Sequence, residues 1–190
     1  MSRKIRQKYR EILEAETVLH RHGRGGQVSV CLVYPNLYRT GMGSLGFQTV
    51  YRLLGGSAGL LCERAFLPDR EELDEYRRSG SPLLSLESQR PLADFDIIAF
   101  STSFEPDYLN IPVILSMANI PLYAAERTQS HPLIIAGGAA FFINPEPVAD
   151  FMDVICIGEG EEIIPGLAAA LLSPRQDETR QALLLALAAV

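Results

Sequence analysis

The sequence predicts a doubly wound α/β domain built on a five-stranded parallel sheet, and two observations carry that prediction. Apolar, β-branched runs of strand length alternate with helical patterns along the chain, and parallel strands need crossover helices lying on the sheet faces. Glycines also gather at the carboxyl ends of the strand-like runs, where an open sheet of this kind binds its ligands. The 190 residues are 47% apolar and 21% charged, the composition of one globular domain with an appendage. A formal net charge of −6 opposes nucleic-acid binding, which rests on Lys and Arg gathered on one face. No apolar stretch reaches the length of about 18 residues expected of a membrane span, and "MSRKIRQKYREILEAE" has no secretory core, so the chain reads as cytoplasmic.

The elements follow in order. Residues 3–20 set Ile5, Tyr9, Ile12, Leu13 and Leu19 on one side of an amphipathic helix, closed by Gly23, Gly25 and Gly26. Its first turns hold Lys4, Arg6, Lys8 and Arg10, which the helix dipole disfavours at that end, so the helix calls for a docking surface. "VSVCLVY" (28–34) has the near-continuous apolar character of a strand covered on both faces. "SLGFQTVYRLLG" (44–55) is a helix with Leu45, Val50, Leu53 and Leu54 inward. "LLCERAF" (60–66) is the second strand, and "DREELDEYRRSG" (69–80) a polar helix stopped by Gly80.

"PLLSLES" (82–88) could add a short edge strand. "FDIIAFS" (95–101) is the central strand, and "EPDYLNIPVILSMANI" (105–120) a helix interrupted early by Pro112. "PLIIAGG" (132–138) and "MDVICIGEGE" (152–161) complete the five strands, and "EEIIPGLAAALL" (161–172) is the last helix. The pattern fits a flavodoxin-like sheet preceded by an extra N-terminal helix.

Ligands of such a sheet sit outside the carboxyl ends of its strands. There the sequence offers "PNLYRTGMG", "STSFE", "GGAAFFINPEP" and "GEGE". "GMGSLG" (41–46) matches the dinucleotide pattern GxGxxG, but "PNLYRT" intervenes between Tyr34 and Gly41, whereas the first glycine of that fingerprint follows its strand directly. The acid expected at the end of the second strand is roughly matched by Asp69, which serves equally as a helix cap. Cys31, Cys62 and Cys156 are isolated in apolar runs and read as core thiols, with no CxxC spacing. His20, His22 and His131 have no thiol or acid at a metal-binding spacing.

From Asn36 the same loop reads N-x-Y-x-x-G, ending at Gly41. It resembles the D-x-H-x-x-G loop of cobalamin-binding domains, with Asn36 for the Asp and Tyr38 for the His. "STS" (101–103) stands where those domains carry S-x-L, and Gly137-Gly138 stands at their glycine pair. Longer strings extend the likeness from about residue 28 to 172: "YPNLYRTGMGSLGFQTVYRLL", "ERAFLPD", "FDIIAFSTSFE", "IAGGAAFFINPEPVADFMD" and "IGEGEE". Together they resemble the N-terminal module of cobalamin-binding radical S-adenosylmethionine (SAM) proteins.

The resemblance implies a helix and connector at 1–27, a cobalamin-binding-like domain at 28–172, and at 173–190 the start of a linker toward a missing C-terminal radical SAM domain. That domain, the module's partner, would hold the [4Fe–4S] cluster and SAM, since no CxxxCxxC occurs here. This chain then carries no catalytic centre of its own. Cobalamin would bind base-off without a histidine ligand, because Tyr38 replaces the imidazole. Asn36, Tyr38, Arg39 and Thr40 would lie beneath or beside the corrin. Ser101 and Ser103 would meet the nucleotide tail, which runs to the rim at Gly137 and Gly138. The backbone N–H groups at Gly158, Glu159 and Gly160 would suit a phosphate, or the glutamates there simply cap the helix. Two alternatives stay open: a cofactor-less docking module for the radical SAM domain, and a flavin or dinucleotide binder.

Overall fold

A computed structural model describes residues 2–17, 25–173 and 179–190. Helix α1 (Arg3–Ala15) precedes β1 (Val28–Tyr34), α2 (Tyr38–Met42), α3 (Leu45–Gly56), β2 (Leu60–Phe66) and α4 (Arg70–Ser79). Then come β3 (Ile97–Ser101), α5 (Asn110–Met117), β4 (Leu133–Gly137), α6 (Ala139–Ile143), β5 (Val154–Ile155), α7 (Gly160–Leu172) and α8 (Arg180–Leu187). All five strands pair in parallel in the order β2-β1-β3-β4-β5. The fold is flavodoxin-like α/β, as the sequence predicts. The chain steps one way from β1 to β2 and the other way from β2 to β5. Right-handed crossovers therefore put α3 on one face, where α7 joins it, and α4 and α5 on the opposite face.

β1 shows why the apolar runs become strands: from Val30 to Tyr34 no side chain is more than 1% exposed, on either face. A sheet covered on both sides needs such continuous sequences. α4 is fixed at both ends by local chemistry. Asp69 and Glu72 form a reciprocal capping box, and Gly80 closes the helix at φ 61°. The docking surface that α1 requires is α4. The Tyr9 and Tyr76 hydroxyls meet at 3.1 Å, Lys8 pairs with Asp69 and Glu72, and Ser2 hydrogen-bonds Glu75.

Several elements differ from the sequence expectation. Residues 82–88 form no edge strand, only an isolated antiparallel bridge between Leu84 and Pro91. Leu86 N–H donates to the Arg64 carbonyl at 2.7 Å, but the Arg64 N–H is taken by the Glu87 carboxylate at 2.7 Å, where a ladder needs a backbone carbonyl. α1 ends at Ala15, with Glu16 extended behind it; Leu19, His20, His22 and Gly23 lie outside the described residues. Gly26 instead packs on β2, where an added Cβ would come within 2.5 Å of Leu61 N.

Leu45 does not turn inward: as the first residue of α3, at the rim, it is 80% exposed, while Phe47 and Leu54 are buried. The helix expected over 105–120 begins as a 3-10 turn (Glu105–Leu109), and Pro112 sits in the first turn of α5, where a missing N–H costs nothing. β5 pairs over two residues only before Gly158 turns the chain at φ 142°. No described helix is long and apolar enough to cross a membrane.

Candidate cofactor-binding site

Strand order reverses between β1 and β3, so the crevice at the carboxyl ends lies there. Side chains alternate across the sheet, and Val30, Leu32, Ile97, Ala99, Ser101, Ile135 and Gly137 turn toward α3 and α7. Between this sheet face and the two helices lies a cavity of about 750 Å³. It opens at the rim and runs down the sheet from Ser101 to Ile97, four residues or roughly 13 Å at about 3.3 Å per residue. Ala99 marks it most clearly: the middle of the central strand is only half-buried, because neither helix packs directly on it.

The mouth is built from turns in which glycine has a physical role. Gly138 has φ 109°, and a Cβ there would stand 2.5 Å from the Thr102 carbonyl oxygen. That close approach lets Thr102 N–H bond the Gly137 carbonyl and Ala140 N–H bond the Thr102 carbonyl, tying the β3 and β4 turns together. Ser44 caps α3 through Phe47 N–H, and its hydroxyl lies 3.4 Å from that of Ser103. On the opposite side Gly160 opens α7 against Val50, with Glu159, Glu161 and Glu162 around the helix N-terminus. Leu45, Phe142 and Ile143 stand exposed around the mouth, with Phe104 and Leu109 on the neighbouring rim.

The structure divides the sequence-derived site residues into two groups. Ser101, Ser103, Gly137, Gly138, Gly158, Glu159 and Gly160 all line the cavity. Asn36, Tyr38, Arg39, Thr40 and Gly41 do not. Asn36 donates to buried Asp107 at 2.7 Å and its side-chain oxygen accepts Leu37 N–H. Burial raises the Asp107 carboxyl above its ordinary range despite that bond, and its second oxygen has no partner among the described residues. Gly41 is a packing glycine, since a Cβ would press to 2.6 Å on the Phe66 ring. Arg39 and Thr40 are exposed on α2.

Tyr38 points away from the cavity. Its ring packs edge-on against Phe66 at 5.2 Å, and its hydroxyl donates to Glu16 at 2.7 Å. Burial and that hydrogen bond push the phenol up to about 12. Glu16 in turn receives both terminal nitrogens of Arg64, at 2.8 and 2.7 Å, and the Arg64 Nε donates to Glu87 at 2.6 Å. Burial opposes charge on Glu16, but the Arg64 and Tyr38 bonds outweigh it and lower the carboxyl. The same partners overcome burial at Arg64 and keep it firmly protonated. This network fastens the segment after α1 to β2 and to the loop following β1.

Sequence reasoning missed Ala99, Thr49, Val50 and Cys156, all of which line the cavity. Ala99 had a signal, being the one small residue inside an otherwise bulky strand. Thr49 had none, and Val50 reads only as an inward core residue, because their place at the cavity depends on how far the α3–α7 pair stands off the sheet.

Residues 46–190 match the family model of the N-terminal region of radical SAM proteins. The chain belongs to that family. The match begins inside α3, so β1 and the N-x-Y-x-x-G loop lie ahead of it. The module is also 24% identical over 134 residues to an uncharacterised protein of Methanocaldococcus jannaschii, covering 70% of this chain and 24% of that protein. It therefore spans about a quarter of that relative's length.

Proposed function

We propose that the module binds cobalamin base-off, with the nucleotide tail down the cavity beneath α3 and α7 and the corrin on the rim, presented to a C-terminal radical SAM domain. The observation that carries this reading is the cavity itself, open over Ala99 in a strand that the fold would otherwise bury on both faces. The residues fit the group. The descending channel is apolar, the hydroxyls of Ser44, Ser101 and Ser103 near the mouth would meet a ribose, and Gly137 and Gly138 add no side chain there. The free N–H groups of the first turn of α7 suit a phosphate, although Glu159 and Glu161 oppose its charge.

Bound cobalamin would supply a cobalt centre for methyl or electron transfer. The chain's residues hold and orient it: α3 and α7 exclude water from the tail, and the turns after β3 and β4 seat the ring. No imidazole follows β1, and Tyr38 is held by Glu16, which supports a cobalt without a protein ligand from this loop. A second reading, a docking module without cofactor, draws on exposed Leu45, Phe104, Leu109, Phe142 and Ile143 as a partner surface. Titration with hydroxocobalamin, followed by visible spectrum and gel filtration, separates the two. Saturable co-elution with a base-off spectrum supports the first reading, and absence of binding leaves the second.

A further inference from the structure

The closed end of the cavity differs chemically from its mouth. Three layers descend the sheet. At the top, Ser101 and Gly137 are paired in register, with Ser44, Ser103, Glu159 and Glu161 around them. In the middle, Leu32, Ala99 and Ile135 lie side by side, with Thr49 and Val50 on the α3 side. At the floor, Val30 and Ile97 face Leu54, Leu167 and Leu171. The floor residues are each 8% exposed or less. Backbone groups there are spent in the β1–β3 and β3–β4 ladders and within the helices. Below Thr49, no side chain lining the cavity among the described residues offers a hydrogen-bond donor or acceptor.

We propose that this floor selects the base at the end of the tail: an apolar aromatic ring such as dimethylbenzimidazole is accepted and a purine is rejected. The inference rests on the reading of the cavity as the tail site. The opening over Ala99, between Leu32 and Ile135, leaves room for a planar ring. Thr49, which lines the cavity one turn into α3, carries a hydroxyl that would serve a ring with one free acceptor nitrogen. Adenine would carry an exocyclic amine and several ring nitrogens into a region that cannot pair them. Each polar group left unpaired weakens binding by a factor of about 5 to 150. Phosphate, ribose and corrin contacts are common to both cobamides, so they cancel from the comparison. The same floor disfavours the adenine half of a dinucleotide.

Equilibrium binding of cobalamin, of the cobamide with adenine as its base, and of cobinamide, which lacks the nucleotide, tests the proposal on the purified chain. Cobalamin should bind tightest, with the adenine cobamide weaker by about tenfold or more and cobinamide weaker than cobalamin. Equal or tighter binding of the adenine form would overturn the selectivity while leaving the cofactor reading standing. Equal affinity for cobinamide and cobalamin would overturn it too, by showing that the tail stays out of the cavity. If none of the three binds, the cofactor reading fails and the inference falls with it.

Discussion

Replacing Ala99 with Leu should fill the cavity without harming the fold. Ala99 lies between Leu32 and Ile135 in the central strand, half-buried, with the open volume of about 750 Å³ above it. Leu adds three carbons. Fully buried, they would contribute about 2.4 kcal/mol at about 0.8 kcal/mol each; in a cavity open at one end, about 1 kcal/mol is the expected gain. For a chain of this size that raises Tm by about 2–4 °C. The same side chain blocks the tail's path, so cobalamin affinity should fall at least about tenfold. Thermal unfolding by circular dichroism and a hydroxocobalamin titration on one preparation read both effects. A well-packed site would respond oppositely, because overpacking costs about 1–3 kcal/mol. A lowered Tm for Ala99→Leu would mean that the helices close over the strand, and the cavity argument would fail. Ile98→Ala, on the opposite and fully buried face, calibrates the assay with an expected loss of about 2–5 kcal/mol.

Gly138→Ala combines a positive φ with a 2.5 Å approach to the Thr102 carbonyl, so it should destabilise by more than about 2 kcal/mol in chemical denaturation. Gly80→Ala, left-handed but with open space around it, should cost only about 1–2 kcal/mol. Glu16→Gln should loosen α1, read as faster amide exchange there. Because the folded Glu16 pKa is lowered, the wild-type advantage is present above the unfolded value of about 4.3 and disappears as pH falls through the folded one. Tyr38, raised to about 12, contributes in the other direction: its share of stability is full below pH of about 10 and is lost as pH rises through the folded value. Comparison of wild type with Tyr38→Phe over that range isolates it. Tyr38→His should produce no histidine-ligated cobalamin spectrum, since position 38 faces Glu16 rather than the cavity.

The strands and capped helices were legible because their causes are local. Asp69, Glu72 and Gly80 define α4 within a dozen residues, and the run from Val28 to Tyr34 announces a strand buried on both sides. The rim was half-legible. Gly137, Gly138 and the GEG turn occupy the strand ends that any such topology brings together, and they do line one cavity. The loop after β1 has the spacing of a ligand loop, while its observed contacts are set at long range. Asn36 reaches Asp107, and Tyr38 reaches Glu16, which Arg64 holds in place. Residues 82–88 have strand composition, yet one carboxylate, Glu87, occupies the backbone donor that a ladder needed. The cavity is a property of how far the packed pair α3 and α7 stands off the sheet, and no local pattern encodes that distance.

The most direct test is a crystal structure of the chain grown with hydroxocobalamin. The account predicts the nucleotide tail between α3, α7 and the sheet, its ring over Ala99, the corrin on the rim beside Ser103 and Gly138, and no side chain from residues 36–41 on cobalt. A tail folded back onto cobalt, or a corrin bound away from this rim, would contradict it.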